Sequence, residues 1–84
     1  MSKIQTILNY YKESRNLSLR QFAEELNLWI EQGKYSHQAI KDWLDGRYEP
    51  KLGKLLQVLR YAPRESWQYQ MAEQLVKTIE EKAG

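Results

Sequence analysis

Apolar residues recur at intervals of three and four positions along most of the chain. This spacing puts them on one face of an α-helix, and we find no convincing strand alternation. Glycine and proline divide the pattern into about five helices, near residues 3–15, 18–33, 36–45, 52–61 and 64–82. The apolar positions are Ile4, Ile7, Leu8 and Tyr11; Phe22, Ala23, Leu26 and Ile30; Ala39, Ile40, Trp43 and Leu44; Leu52, Leu55, Leu56 and Leu59; and Trp67, Met71, Leu75 and Ile79. The pattern predicts an all-α fold, a compact bundle of about five helices.

Three serines mark predicted helix starts. Ser2 and Ser18 each stand three residues before a glutamine, Gln5 or Gln21, which is the spacing of a capping box. Ser36 has the same position at the start of helix 3. We therefore expect a serine cap on the first three helices.

The composition argues against most catalytic and metal sites. The 84 residues predict a single domain over 1–84, with no cysteine and one histidine. Neither a glycine-rich phosphate loop nor a cysteine–histidine pair is present in the sequence. We predict that the chain is not an enzyme and has neither a cofactor nor a metal site.

Positive charge is concentrated in the middle of the chain. Residues 34–64 carry seven basic and three acidic residues, whereas residues 1–33 are balanced and residues 65–84 are acidic. A basic patch is the electrostatic footprint of a polyanionic partner. A lysine-rich surface that contacts only water would have the same charge. Charge alone therefore does not establish a polyanionic partner, and a sequence motif is needed to support it.

The motif lies between Ser18 and Pro50. It has a serine cap, a small alanine, a leucine three residues on, a second serine cap, an isoleucine, a tryptophan three residues later and then Gly-Arg-x-x-Pro. The residues are Ser18, Ala23, Leu26, Ser36, Ile40, Trp43 and Gly46-Arg47-Tyr48-Glu49-Pro50. Over about residues 17–62 the chain resembles the phage-repressor (Cro-like, XRE-type) helix-turn-helix family. The resemblance implies a lambda-repressor-like DNA-binding domain, with a helix-turn-helix core about 18–46.

The chain departs from the family pattern between the two helices of the motif. The interval from Ala23 to Ser36 is longer than usual by about seven residues, close to two helical turns at ~3.6 residues each. Leu28, Trp29 and Ile30 are too apolar for an exposed turn. We therefore expect helix 2 to continue to Gly33, with a seven-residue loop as the alternative.

The resemblance also implies that the recognition helix, about residues 37–45, enters the major groove of DNA. The base-contact candidates are His37, Gln38, Lys41 and Asp42. Gln38 suits adenine and Lys41 suits guanine O6 and N7. Asp42 accepts from cytosine N4, is a surface carboxylate repelled by the phosphates, or pairs with Lys41 or Arg47. His37 either touches DNA or is solvated.

Phosphate contacts are expected from residues that flank the recognition helix. The candidates are Arg20, Lys34, Ser36, Arg47, Tyr48 and Lys51. Of these, Arg47 and Tyr48 have the strongest motif position, directly after the recognition helix. Trp43 is expected to pack in the core and not to stack on bases.

Helix 5 is acidic on balance, so we expect it to face away from DNA and to close the core. Its apolar excess also predicts a homodimer interface formed by Trp67, Met71, Leu75 and Ile79, which would suit palindromic half-sites. The expected partners are thus double-stranded DNA and a second copy. No membrane and no small-molecule ligand is expected.

The sequence favours a small transcriptional regulator of repressor type that occupies an operator. The alternative is a protein-interaction module on the same fold, such as an antitoxin, an anti-repressor or an adaptor. This alternative is favoured by Trp29 and by the aromatic residues of helix 5. RNA binding is disfavoured because neither an aromatic sheet platform nor a GXXG clamp is recognisable. The N-terminus lacks the apolar core of a signal peptide, and no apolar run approaches the ~18 residues of a membrane span. We expect a cytoplasmic protein, nucleoid-associated through DNA.

Overall fold

Five α-helices make up the fold. The computed structural model describes residues 2–83, and within that range it contains no strand. The helices are α1 (Lys3–Ser14), α2 (Leu19–Asn27), α3 (His37–Leu44), α4 (Leu52–Tyr61) and α5 (Trp67–Ala83). They form a compact body of 32 × 27 × 24 Å, which confirms the predicted all-α class and the number of helices. None of the helices in this range is long and apolar enough to cross a membrane.

Serine hydroxyls begin α1, α2 and α3 as predicted. Each hydroxyl accepts a hydrogen bond at 3.1 Å from the backbone amide three residues on. At α2 the box is complete, because the Gln21 side chain accepts from the Ser18 amide at 3.0 Å. At α1 the Gln5 side chain bonds to α3 instead of closing the box. Caps of this kind each stabilise a helix by ~1 kcal/mol.

The core is closed by α5, which packs on α1 and α4. Its first residue, Trp67, stacks on Phe22 of α2 with ring centroids 5.2 Å apart. The Trp67 indole N–H donates to Glu25, so this large side chain is buried without leaving its polar atom unpaired. Further along α5, the Gln74 amide donates to the Tyr11 hydroxyl at 2.7 Å.

The dimer surface predicted on α5 needs a correction. Trp67, Met71 and Leu75 are buried in the core of the chain itself, and Ile79 packs half-buried against it. The apolar residues of α5 pack on α1, α2 and α4. These four residues are therefore not available as an apolar surface for a second copy. The homodimer stays a prediction without an assigned surface.

The expected extension of helix 2 is wrong, since α2 ends at Asn27 and residues 28–36 form a loop. The Asn27 side chain donates to the Tyr35 carbonyl at 2.8 Å and accepts from the Tyr35 amide at 2.9 Å. These two bonds close the loop. The apolar run is accommodated without a helix, because Ile30 enters the core and Trp29 is half-buried, while Leu28 is 65% exposed.

Helix α4 buries only part of its apolar surface. Leu55 and Val58 are in the core, whereas Leu52 and Leu56 are 39% and 48% exposed. The helix ends at Tyr61, two residues before Pro63, as predicted. One apolar stripe of α4 is therefore left on the surface.

Candidate nucleic-acid interface

The position of α3 is set by its apolar side. Ile40 and Trp43 are buried, and α3 packs on α1 and α2. Trp43 also meets the Tyr35 ring edge-on, with centroids 4.3 Å apart. The prediction that Trp43 belongs to the core is confirmed.

The C-terminal end of α3 is tied to α1. The side-chain amides of Gln5 and Asn9 both donate to the Leu44 carbonyl at 3.0 Å. Gly46 follows with φ +83°, and a Cβ there would lie 2.7 Å from the Gln5 side-chain oxygen. Such a left-handed position favours glycine, and a side chain there would displace the end of the Gln5 side chain, which bonds to Leu44. These contacts fix the direction of α3 relative to the core.

The opposite face of α3 is open to solvent. His37, Gln38 and Lys41 are exposed and Asp42 is half-buried, so the structure places all four base-contact candidates at or near the surface of one helix. The exposure of these positions was predictable, because the 3.6-residue period places them away from the face that carries Ile40 and Trp43.

The polar side chains of α3 pair with one another four residues apart. Gln38 donates to Asp42 at 3.1 Å, and Lys41 forms an ion pair of 2.7 Å with Asp45. The expected partner of Asp42 was Lys41 or Arg47, and this expectation is wrong: Lys41 reaches the residue one turn later instead. The Lys41 hydrogen bond lowers the pKa of the Asp45 carboxyl. Asp45 is thus a member of the site that sequence reasoning missed, although the i, i+4 spacing could have indicated it.

A groove of about 290 Å³ runs beside α3. Its lining residues are Tyr35, Ala39, Asp42, Trp43, Tyr48, Glu49 and Lys51. The structure thus brings together three candidates, Asp42, Tyr48 and Lys51, from α3 and the segment that follows it. Tyr35 and Glu49, close to the two ends of α3 in the sequence, also line the groove, although neither was predicted as a site residue.

Tyr35 lines this groove, and its hydroxyl is buried with no hydrogen bond of good geometry, although the backbone amide of Lys51 lies near it. Burial raises the pKa of the Tyr35 phenol, and the backbone amide of Lys51 opposes that shift only in part. The phenol therefore stays neutral at physiological pH. Tyr48, in contrast, is 67% exposed and stands at the rim.

The basic candidates lie on both sides of α3 in the sequence and are exposed. Lys34 belongs to the loop before α3, and Arg47 and Lys51 to the segment after it. Ser36 caps α3, with its hydroxyl oxygen occupied by a backbone amide. Arg20 lies apart on α2, where its side chain pairs with Glu24 at 3.0 Å. Since α3 with its C-cap carries one lysine and two aspartates, the positive charge of the region comes from its flanks.

Within residues 2–83, no group of three or more histidine, cysteine, aspartate or glutamate side chains is arranged to hold a metal ion. Comparison with family models, with curated proteins and with solved structures gives no significant match to the chain.

Proposed function

We propose that the chain binds double-stranded DNA with α3 in the major groove, as a small transcriptional regulator of the helix-turn-helix type. The observation that carries the proposal is the division of α3 into two faces. Ile40 and Trp43 anchor one face in the core, while His37, Gln38 and Lys41 are exposed on the other. A helix that is firmly packed on one side can present side chains in a fixed register to a partner.

The dimensions of α3 suit this partner. An α-helix with its side chains is about 10–12 Å across, and the major groove is about 12 Å wide, so α3 can enter it. The N-terminal residues of a recognition helix are the ones that reach base edges in such docking. His37 and Gln38 occupy this end, Lys41 lies one turn further along, and the hydrogen bonds from Gln5 and Asn9 hold the C-terminal end to the body of the protein.

Base contact requires an exchange of partners on α3. Gln38 leaves Asp42 to make a bidentate pair with adenine, and Lys41 leaves Asp45 to reach guanine. Both internal pairs are exposed, so breaking them costs little. Asp42, once free, can accept from a cytosine amino group.

Phosphate contacts come from the flanks of α3. Lys34, Arg47 and Lys51 are exposed cations, and Tyr48 stands out at the rim of the groove. Together with Ser36 and Arg20 they make six candidate contacts. Such contacts hold a protein in register on the duplex without reading sequence.

The test is a fluorescence-anisotropy titration with random-sequence duplex DNA at about 50 and about 200 mM salt. Four of the six candidates are cations, Arg20, Lys34, Arg47 and Lys51, and four neutralised phosphates predict a loss of affinity of about a hundredfold between these two conditions. Lys41→Ala and Arg47→Ala should each weaken binding by about tenfold, equivalent to ~1.4 kcal/mol. The matched controls are Lys77→Ala and Arg15→Ala, at exposed positions outside the site.

Binding that weakens with salt and falls in both site variants, but not in the controls, justifies selection of an operator sequence. If the wild-type chain fails to bind at low salt, or all four variants behave alike, the DNA proposal fails. A protein-interaction module would then be the better description.

A further inference from the structure

One face of α4 is apolar, exposed and unused by the core. Leu52 and Leu56 stand one turn apart on this face, and Arg60 follows one turn later. Leu55 and Val58, on the other side of the helix, already supply the contacts to the core. Leu52 and Leu56 therefore keep 39% and 48% of their surface exposed beside a core that Leu55 and Val58 already complete.

Beside these leucines lies a groove of about 390 Å³, lined by Gly53, Leu56, Gln57 and Arg60. A Cβ added at Gly53 would meet no atom within 4 Å, and the backbone there is not in the left-handed region. The chain itself thus has no steric need for glycine at a helical position, where glycine is less stable than alanine. Its evident effect is to keep the groove open.

The groove is held in shape by the loop that follows α2. The Gln57 side chain accepts from the Glu31 amide at 3.1 Å, and the Lys54 ammonium donates to the Gln32 carbonyl. These bonds fix both the loop and the groove wall before any partner arrives. A preformed groove loses little entropy on binding.

The charge around the groove is positive. Residues 50–64 contain Lys51, Lys54, Arg60 and Arg64 and no acidic residue. Glu31 belongs to the neighbouring loop, and its backbone amide bonds to Gln57. Residues 50–64 and Glu31 together carry a net charge of +3. If two copies of α4 packed antiparallel on this face, Lys51 would face Arg60, so self-association is opposed by charge.

We propose that this face of α4 binds an acidic amphipathic helix of a partner protein. An apolar side chain of the partner enters the groove over Gly53, a second covers Leu52 and Leu56, and carboxylates meet Arg60 and Lys51. This is the helix-in-groove mode of recognition. Nucleic acid would satisfy the cations but leave the leucines uncovered. The proposal does not depend on DNA binding by α3.

The experiment starts with a displayed library of 16-residue helical peptides randomised along one face, selected against the full chain. Enriched peptides should carry a net negative charge and large apolar residues three or four positions apart. One enriched peptide is then titrated against the variants Gly53→Gln, Leu56→Ser and Arg60→Ala. Each variant should weaken binding at least about tenfold, because it fills the groove, removes an apolar contact or removes a cation.

Leu28→Ser is the matched control, since Leu28 is an exposed leucine on the loop, at 65% against 48% for Leu56. It should change the affinity less than twofold. Gly53→Gln also controls for folding: a helical glutamine is more stable than glycine, so this variant should melt no lower than the wild type while it loses the peptide. Its DNA affinity should equal that of the wild type, which separates this proposal from the DNA proposal.

Several results would overturn the inference. Enrichment of neutral or basic peptides, or equal binding by Gly53→Gln, would show that the groove does not select an acidic helix. Displacement of the peptide by duplex DNA with loss of DNA binding in Leu56→Ser would assign the face to nucleic acid. A dimer in sedimentation that Leu56→Ser dissociates would assign it to a second copy of the chain.

Discussion

Lys41 has two competing partners, Asp45 within the chain and DNA outside it. The ion pair is short, at 2.7 Å, but both side chains are about half exposed, so water weakens it. The Lys41 hydrogen bond holds the pKa of Asp45 below the ordinary 3.8. Because the folded-state pKa is lowered, the pair contributes to stability above the ordinary pKa, and this contribution is lost as the pH falls through the lowered value. At neutral pH the carboxylate therefore always competes for Lys41.

This competition predicts the effect of Asp45→Asn. The variant frees Lys41 and removes a negative charge beside the DNA, so affinity for duplex DNA should rise roughly threefold to tenfold, with a salt slope steeper by about 0.9 if Lys41 gains a phosphate. Anisotropy titrations at several salt concentrations measure both. Glu73→Gln, at an exposed position of α5, makes the same charge change. Equal gains in the two variants would trace the effect to net charge and not to Lys41.

The loop between α2 and α3 depends on the Asn27 side chain, which takes the place of backbone pairing at the end of α2. Asn27→Ala removes both bonds to Tyr35 and leaves partly buried backbone groups unpaired, so the free energy of unfolding should fall by about 2 kcal/mol. Urea denaturation measures the loss. Gln32→Ala, in the same loop and exposed, should change it by less than ~0.5 kcal/mol. Unchanged stability together with a gain of helical ellipticity in Asn27→Ala would show that the segment prefers the helix.

Local signals predicted most of the secondary structure and missed this loop for a physical reason. A serine cap acts on amides two or three residues away, so its effect is visible in the sequence at Ser2, Ser18 and Ser36. The bonds of Asn27 join residues eight positions apart and form only when the chain turns between them. An apolar run such as Leu28 to Ile30 has the same composition in a buried helix and in a loop whose side chains enter the core.

The surface of the folded chain was predictable in part. The period of α3 was enough to place His37, Gln38 and Lys41 on its exposed face. The sequence predicted that α5 closes the core, but it did not show which leucines of α4 are buried and it assigned part of the α5 face to a dimer, because both helices carry more apolar residues than one stripe needs. Which stripe is buried depends on the neighbours: α5 covers three helices and uses its apolar residues, whereas α4 leaves Leu52 and Leu56 outside.

The burial of α5 within one chain predicts how the protein unfolds. Leu75 is fully buried, so Leu75→Ala should lower the free energy of unfolding by about 3 kcal/mol through lost contacts and the cavity left behind. Lys77→Ala, two residues further along and exposed on the other side of α5, is the control. Because these contacts are internal, the wild-type thermal midpoint should be the same from about 5 to about 500 µM protein, whereas a contact between subunits makes the midpoint rise with concentration. Thermal melts followed by circular dichroism give both quantities. A concentration-dependent midpoint that Leu75→Ala abolishes would place Leu75 at a subunit contact and restore the dimer interface on α5.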